Sequence, residues 1–265
     1  MTIGIIISTY NNPAWLEKVL WGYLCQIRAA DEIIIADDGS KPDTRDMVMR
    51  YADSLPIKYV WHEDKGFRKT KILNEALKVA ESDYLIFTDQ DLVPRADFIA
   101  VHEQYARPGY FLSGGHCLLP IPVSQQINQD DIVSQRAFRL GWLRGKGYKW
   151  SFKATKLIQS RWFTKVMNAI TPTHATWNGG NSSGWRNDIL ATRGFDERMQ
   201  YGGEDRELGE RLVNAGIRGR QIRYSAIVLH LDHKRPYINA EALEKNRAIR
   251  QETREKNLTE TAFGL

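Results

Sequence analysis

The sequence of 265 residues contains only two cysteines, Cys25 and Cys117, and they lie far apart in the chain. Two thiols are too few for a disulfide framework or a cysteine-rich zinc site, so both classes are disfavoured. No apolar run approaches the roughly eighteen residues that a membrane-spanning helix needs. The first residues, MTIGIIISTYNNP, lack the basic region and small-residue cleavage site of a signal peptide. These absences predict a soluble, cytoplasmic protein whose chain starts with a strand.

Two common phosphate-binding loops are also missing. No G-x-G-x-x-G follows the first apolar run, and G-x-x-x-x-G-K-[ST] does not occur. A nicotinamide-dependent dehydrogenase and a P-loop NTPase are therefore disfavoured. If this chain binds a nucleotide, we expect a metal ion and basic side chains to hold its phosphates.

Acidic residues are absent from one long stretch, residues 132–187, which nevertheless carries ten lysines and arginines in a chain of net charge +5. Trp142, Trp150 and Trp162 lie between these basic residues. One interpretation is a solvated helical face with core aromatics. The other is contact with an anionic membrane surface or with an anionic, lipid-linked acceptor.

Short apolar runs alternate with helical patterns through the first half of the chain. Near-continuous β-branched runs between helices are typical of parallel strands covered on both faces. Right-handed crossovers then predict an α/β fold with a Rossmann-like open, mainly parallel sheet flanked by helices. The runs are IGIIIS (3–8), EIIIAD (32–37), IKYVWH (57–62), YLIFTD (84–89) and YFLSGG (110–115), and the predicted helices lie near 13–26, 42–53, 69–81 and 95–106.

Polar clusters follow four of these runs, at 8–12, 37–40, 63–68 and 89–91. In open α/β sheets, ligands bind outside the carboxyl ends of the strands, which share one edge. The pair of aspartates within 89–91 could by itself mark a turn or a metal site. Because polar clusters recur at four strand ends, we expect a site at this edge.

Four segments together resemble glycosyltransferase family 2 with the GT-A fold: IIISTYNNPAWLEKVL, IIIADDGS, YLIFTDQD and GFDERMQYGGEDRELGERL. The longer segment from GGNSSGW to LVNAGIR resembles the acceptor side of galactosyltransferases and chondroitin-polymerase domains. The likeness covers about residues 2–235 and implies one GT-A domain over 1–265. Within it, 1–115 would bind the nucleotide sugar, 116–235 would form the acceptor-binding and catalytic half, and 236–265 would form a helical tail.

The resemblance implies a donor pocket built largely from strand-end residues. Asp37 would accept the N3–H of a uracil, because a carboxylate only accepts hydrogen bonds, and Asp38 would lie beside the ribose. The segment DKGFRKTKILNEAL departs from the usual pattern of the family, and its basic and amide side chains are still assigned to the donor side. The other residues implied for the donor side are Thr9, Tyr10, Asn11, Arg68, Lys71, Asn74, Asp89, Gln90 and Gly180.

Asp89-Gln90-Asp91 resembles the D-x-D element of the family. In the likeness, Asp91 binds a divalent cation directly, and Asp89 lies nearer the ribose or reaches the cation through water. His230, at the end of a strand predicted over 226–230, would be a further ligand, although a structural histidine is the alternative. The cation would neutralise charge on the departing diphosphate. Mn²⁺ and Mg²⁺ both suit oxygen ligands, and an imidazole favours Mn²⁺.

The segment YGGEDREL begins a predicted helix that runs to about residue 215. In the resemblance, Asp205 is the general base that takes the proton of the acceptor hydroxyl, and Glu204 holds the acceptor or supports Asp205. A base on one side of the sugar and a metal-held leaving group on the other require in-line displacement, which inverts the anomeric centre. The acceptor-side residues are Tyr201, Gly203, Glu204 and Trp185, with Tyr201 standing where many relatives have tryptophan.

The sequence thus predicts an inverting, metal-dependent transferase that moves a sugar from a nucleotide sugar, with UDP favoured, to a saccharide hydroxyl. A lipid-linked acceptor at the inner face of a bacterial membrane, in surface polysaccharide synthesis, is the setting that the resemblance implies. Two alternatives stand beside it. A haloacid-dehalogenase-like phosphatase would need its Asp-x-Asp after the first strand, and a basic nucleic-acid-binding protein would use the stretch 132–187. We expect no nucleic acid partner, because that alternative gives the carboxylate clusters no role.

Overall fold

The structure is a computed structural model that describes residues 1–233 and 239–265, with the side chain of Arg161 left out. Ten strands and eleven α-helices lie within these residues, together with short 3-10 helices at Arg136–Phe138 and Phe152–Leu157. No helix among them combines the length and apolar character that crossing a bilayer requires.

Strands and helices alternate through the first half of the chain, as the sequence predicts. The strands are β1 (Ile3–Thr9), β2 (Glu32–Asp37), β3 (Ile57–Trp61), β4 (Tyr84–Asp89), β5 (Leu92–Pro94), β6 (Tyr110–Ser113), β7 (Gly115–Leu119), β8 (Asn181–Trp185), β9 (Arg218–Gln221) and β10 (Ile227–Leu231). The helices are α1 (Pro13–Leu24), α2 (Pro42–Met49), α3 (Lys69–Val79), α4 (Phe98–Tyr105), α5 (Ile121–Gln126), α6 (Gln129–Val133), α7 (Leu140–Gly145), α8 (Arg161–Ile170), α9 (Arg186–Ala191), α10 (Glu204–Asn214) and α11 (Ala240–Glu255).

Seven strands form one open sheet in the order β3-β2-β1-β4-β8-β6-β9. Strands β3, β2, β1 and β4 are parallel neighbours, and β6 and β9 are also parallel. Strand β8 runs antiparallel between β4 and β6. The predicted mainly parallel sheet flanked by helices is therefore confirmed, and the antiparallel insertion of β8 is a feature that the apolar pattern did not predict.

Strand β1 shows why the sheet is buried on both faces. All seven of its residues are buried. Because successive side chains of a strand point to opposite faces, Ile5 and Ile7 pack into one hydrophobic cluster and Ile6 packs into the other. Apolar residues on both faces are typical of an inner strand, and β1 lies inside the sheet between β2 and β4.

A second, three-stranded sheet in the order β5-β10-β7 lies next to the carboxyl end of β4. Its β5 begins at Leu92, directly after the segment 89–91, and pairs antiparallel with β10 so that Leu92 lies opposite His230. The short chain distance from β4 to β5 fixes the aspartate segment between the two sheets. The second sheet thereby brings residues from the far end of the chain to the end of β4.

The tail helix α11 packs against α10, in line with the prediction that the tail is a charged helix. The hydroxyl of Thr253 donates to Glu207 (2.9 Å), and Arg250 pairs with Glu210 (2.6 Å). The side-chain amide of Asn246 donates to the backbone carbonyls of residues 200 and 202 at 2.8 and 3.1 Å. The tail therefore supports the loop that leads into the catalytic segment predicted from the sequence.

Candidate functional site

A cavity of about 710 Å³ opens at the carboxyl ends of β1, β2 and β4. The polar clusters that follow these strands all reach it, which confirms that they share one edge of the sheet. The cavity also receives side chains from α10 and β10, so residues far apart in the sequence meet there. It is lined by Ser8, Thr9, Tyr10, Asn11, Asn12, Asp38, Gly66, Phe67, Lys69, Ile72, Asp89, Gln90, Asp91, Tyr201, Glu204, Asp205, His230 and His233.

The register of β1 against β4 sets Ser8 opposite Asp89. The Ser8 hydroxyl donates to Asp89 Oδ1 at 2.5 Å. The next residue, Gln90, uses Oε1 to accept from the Thr9 hydroxyl (2.5 Å) and from the Tyr10 backbone N–H (3.0 Å). Gln90 thus ties the loop after β1 to the end of β4 and fixes one wall of the cavity.

A lysine that the sequence analysis did not single out lies among the carboxylates. Lys69 Nζ donates to Asp89 Oδ1 at 2.7 Å. Burial alone would lower the pKa of Lys69, but the negative charges of Asp89, Asp205 and Glu204 outweigh it and hold that pKa well above its usual value. The ammonium therefore stays charged at the centre of an acidic cluster. Its position at the first turn of α3, inside the segment that departs from the family's pattern, gave no signal in the sequence.

The loop before α10 presents Asp205 to the cavity. Gly202 and Gly203 both have positive φ angles, +110° and +97°, which glycine adopts without strain. The Gly202 N–H donates to Glu204 Oε2 at 2.8 Å, so Glu204 holds the turn and supports its neighbour. The prediction that α10 begins at the Glu-Asp pair is confirmed.

Asp205 combines a raised pKa with one oxygen that has no hydrogen-bond partner among the described residues. Burial raises its pKa to about 7 against the opposing charge of Lys69, and the negative charges of Glu204 and Asp89 add to the rise. Its Oδ1 atom is buried and has no hydrogen-bond partner among the described residues. A carboxylate with a pKa near neutrality and one unused oxygen is suited to accept a proton from a substrate hydroxyl.

The glycine pair before β8 lies against both carboxylates. A Cβ on Gly179 would collide with the carboxylate of Asp205, and a Cβ on Gly180 would come within 3.0 Å of Asp89 Oδ2. Gly180 thus lies next to Asp89, and the same loop reaches both acidic residues. Asp89 and Asp205 therefore belong to one site.

Asp91 forms a possible metal centre with two histidines. His230 Nε2 lies 3.0 Å and His233 Nε2 lies 2.9 Å from Asp91 Oδ2. Burial would raise the pKa of Asp91, but hydrogen bonds from both histidines reverse the effect and hold it well below its usual range. The ligand atoms of these three residues all lie within 4.8 Å of one another. One carboxylate and two imidazoles form a donor set that suits Mn²⁺ and other divalent transition metals.

The metal cluster differs from the predicted one in two residues. His233 joins Asp91 and His230, although the sequence analysis favoured His230 alone. Asp89 is not among the three residues of the cluster, and its Oδ1 accepts hydrogen bonds from Ser8 and Lys69. The three-residue spacing from His230 to His233 in HLDH was the signal that could have identified the second histidine.

The neighbouring residues Asp37 and Asp38 lie in different surroundings. Asp37 is fully buried, and its oxygens accept from the Ser40 N–H (2.7 Å) and the Tyr59 hydroxyl. It holds the turn after β2 and does not line the cavity. Asp38 does line it, accepting from the Arg68 N–H at 2.9 Å and lying 2.6 Å from His62 Nε2. Of the pair, Asp38 therefore faces this cavity and Asp37 does not.

Three further residues predicted for the donor side, Arg68, Lys71 and Asn74, do not line the cavity. The Arg68 guanidinium donates to the backbone carbonyl of residue 63. The Asn74 amide is fully buried on α3, where it donates to Phe195 O (2.9 Å) and Glu197 Oε1 (3.0 Å). Asn74 thus joins α3 to the segment after α9, which is a structural role.

On the acceptor side, Trp185 lies at the wrong end of the sheet for its predicted role. It pairs with Tyr84 at the start of β4, while Asp89 is at the other end of that strand. The indole Nε1 donates to the backbone carbonyl of residue 107 at 2.9 Å. Tyr201 does line the cavity and stacks edge-on against Phe67, whereas Gly203 provides the turn into α10 without lining the cavity.

Known proteins are similar to this chain in sequence, and solved structures are similar to it in fold. It is 31% identical over 225 residues to validoxylamine A glucosyltransferase of Streptomyces hygroscopicus subsp. jinggangensis, covering 81% of this chain and 52% of that protein. It is 27% identical over 235 residues to chondroitin synthase of Escherichia coli, covering 83% of this chain and 33% of that protein. The chain therefore spans about half the length of the first relative and a third of the second.

Among solved structures, S. aureus TarS 1–349 in complex with UDP-GlcNAc superimposes with a TM-score of 0.63 at 16% identity, covering 94% of this chain and 65% of that chain. The mannosyltransferase PcManGT of Pyrobaculum calidifontis, in complex with GDP-Man and Mn²⁺, gives 0.60 at 19% identity, covering 89% and 58%. These similarities confirm the predicted GT-A fold.

Two family patterns match the chain in succession. Residues 4–175 match glycosyl transferase family 2, and residues 168–234 match the N-terminal domain of galactosyltransferase. The second match covers the segment for which the sequence analysis named the same likeness. On these matches, the chain belongs to glycosyl transferase family 2 and carries a galactosyltransferase-like segment in its second half.

Proposed function

We propose that this protein is an inverting glycosyltransferase that moves a hexose from a nucleotide sugar, with UDP as the favoured carrier, to a hydroxyl group of a saccharide. The observation that carries the proposal is the meeting of Asp89, Asp91 and Asp205 in one cavity. The family membership supplies the reaction class, and the relatives named above include transferases and synthases that act on sugars.

The base is Asp205, which accepts the proton of the acceptor hydroxyl as the oxygen attacks the anomeric carbon. Its raised pKa keeps it basic enough for this transfer near neutral pH. The positive charge of Lys69 interacts with both Asp205 and Asp89. It therefore offsets the repulsion between two carboxylates that must both lie near the donor sugar. Attack from the side of Asp205, opposite to the leaving diphosphate, inverts the anomeric centre.

Asp91, His230 and His233 would hold a divalent cation, and two imidazoles favour Mn²⁺ over Mg²⁺. Such a cation would offset the negative charge that builds on the departing diphosphate. On the nucleoside side, Asp38 and the loop after β1 line the cavity. The setting that fits the resemblance is polysaccharide synthesis at the cytoplasmic face of a bacterial membrane.

The test is the release of nucleoside diphosphate from a panel of UDP- and GDP-sugars, with and without a saccharide acceptor, in Mn²⁺, Mg²⁺ or chelator. We expect turnover with at least one UDP-sugar that requires the divalent cation. Asp205→Asn should abolish it, while the control Asp53→Asn, an exposed carboxylate in the loop after α2, should leave it unchanged. Full activity of Asp205→Asn, or turnover that chelator does not affect, would contradict the proposal.

A further inference from the structure

Four basic side chains outside the cavity act on one another through their charges, and we call them the basic track: Lys153, Lys156, Arg206 and Arg223. The segments of Lys156 and Arg223 are in contact, because the hydroxyl groups of Thr155 and Tyr224 lie 3.3 Å apart. Lys153 and Lys156 lie on the 3-10 helix Phe152–Leu157, and Arg223 lies in the loop between β9 and β10. Arg206 follows the base Asp205 on α10. Their charges influence one another, since Arg223 lowers the pKa of Lys156 and Arg206 lowers that of Arg223.

Within the part of the chain that the structure describes, no carboxylate forms an ion pair with Lys153, Lys156 or Arg223, whereas Arg206 lies within the field of Asp205. Lys156 Nζ donates to His116 O at 3.2 Å, and an Arg223 Nη donates to His174 O at 3.4 Å. The Arg223 Nε atom is buried and has no hydrogen-bond partner among the same residues. The sequence explains this, because acidic residues are absent from 132–187.

Bringing positively charged side chains together without counterions lowers the stability of the folded state. Burial is the main cause of the lowered pKa of both Lys156 and Arg223, and the neighbouring positive charges add to it. A buried guanidinium N–H without an acceptor loses the hydrogen bond that water supplies in the unfolded chain, which lowers the stability of the folded state. An anion bound at this place would supply the acceptor and the countercharge together.

The position of the basic track relates it to the acceptor. At one end, Arg206 adjoins Asp205, which faces the attacking hydroxyl in the proposed reaction. At the other end, Lys156 binds the backbone of His116, whose ring packs edge-on against His230 with centroids 5.4 Å apart. The track therefore runs beside the reaction centre and outside the cavity that the donor would fill.

The surface next to the track is apolar. Phe152, on the same 3-10 helix as the two lysines, is 70% exposed, and Trp162 on α8 is 75% exposed. Helix α8 packs on the loop that carries Arg223, since the Phe163 ring contacts Tyr224 and the Asn168 side chain accepts from the Tyr224 N–H. Charged and apolar surfaces thus adjoin along the track, which is the arrangement that an amphiphilic phosphate ester would match.

We propose that the basic track is a phosphate-binding subsite for the acceptor: Arg206, Arg223, Lys153 and Lys156 hold a phosphate or diphosphate group attached to the acceptor saccharide. Only the identification of the ligand as the acceptor rests on the proposed function. The anion site itself rests on the contacts of Lys156 and Arg223 and on the buried Arg223 Nε that lacks an acceptor among the described residues. The phosphate comes either from a lipid carrier or from a soluble sugar phosphate, and the chemistry recognised is the same.

The test is calorimetric titration of the full chain with inorganic pyrophosphate in the presence of chelator, which removes cation-dependent binding in the donor cavity. Two double variants are compared with the wild type: Lys156→Gln/Arg223→Gln, and Lys153→Gln/Arg206→Gln, whose side chains are exposed so that the fold is not at risk. The matched control is Arg218→Gln, an exposed arginine on β9 outside the track.

We expect each double variant to bind pyrophosphate at least about ten-fold more weakly, which corresponds to about 1.4 kcal/mol, and Arg218→Gln to bind like the wild type. Decyl phosphate that binds more tightly than glucose 1-phosphate would assign the lipid carrier as the source, and the reverse order would assign a soluble sugar phosphate. Equal binding of pyrophosphate by all four proteins, or no binding by the wild type, would overturn the proposal. UDP binding in Mn²⁺ is measured separately, so that its failure would reject the proposed function and leave the anion site standing.

Discussion

Replacing Asp205 by asparagine should strongly reduce the rate of transfer and at the same time stabilise the protein at alkaline pH. Folding raises the pKa of this carboxyl from 3.8 to about 7, mainly through burial. A carboxyl whose pKa is raised on folding favours the folded state below its unfolded pKa. That contribution is lost as the pH rises from about 4 to about 7, and above that the ionised group is a constant cost.

The size of the effect follows from the shift. A rise of about three pH units corresponds to about 4 kcal/mol. The variant gains only part of this free energy of unfolding, because Lys69 loses one of its negative neighbours and because Asp205 is not wholly shielded from solvent. We therefore expect a gain of about 2 kcal/mol at pH 8, or about 4–8 °C in Tm for a chain of this size. The gain should shrink towards zero near pH 4.5.

The assay is urea unfolding at pH 8 and pH 5 in the presence of chelator, alongside the rate of nucleoside diphosphate release. Transfer should fall by a factor of about 10²–10⁴, the usual contribution of a general base. The control Asp53→Asn removes an exposed carboxylate and should change neither quantity. If Asp205→Asn is destabilised at pH 8, or its gain does not depend on pH, the burial argument is refuted.

Three other changes test separate parts of the structure. His233→Gln should weaken Mn²⁺ binding about ten-fold or more in a calorimetric titration of the protein without nucleotide, since it removes one of three ligands; unchanged affinity would exclude this histidine from the site. Lys69→Met should move the acid limb of the pH–rate profile upward by about one pH unit or more, which is the usual size of the effect when a nearby opposite charge is removed. The shift is upward because the positive charge of Lys69 lowers the pKa of Asp205. An acid limb that does not move would refute the electrostatic interaction between Lys69 and Asp205. Arg211→Met should cost about 3–5 kcal/mol in urea unfolding, because it leaves Glu207 buried without its partner, at present 2.7 Å away; a loss below 1 kcal/mol would show that solvent reaches the pair.

The sequence analysis succeeded where local pattern and chain order are sufficient. Apolar runs with turn residues at their ends gave the strands and the shared edge of the sheet, and the Gly-Gly-Glu-Asp segment gave the start of α10. Helix ends were placed too far along the chain by two to four residues in α1, α2 and α3, because the pattern continues into the following turns. Strand β8 was not predicted, because its small polar residues NSSGW carry no apolar alternation.

The amino-acid sequence by itself determined the family, the parallel sheet and the acidic residues that end its strands, because these depend on the order of residues along short segments. Only the tertiary structure decided which side chains meet. It placed Lys69 among three carboxylates, joined His233 to Asp91, buried Asp37 beneath the turn and set Trp185 at the far end of the sheet. The physical reason is that charge pairing and burial depend on distances between segments far apart in the chain, and strand pairing sets those distances.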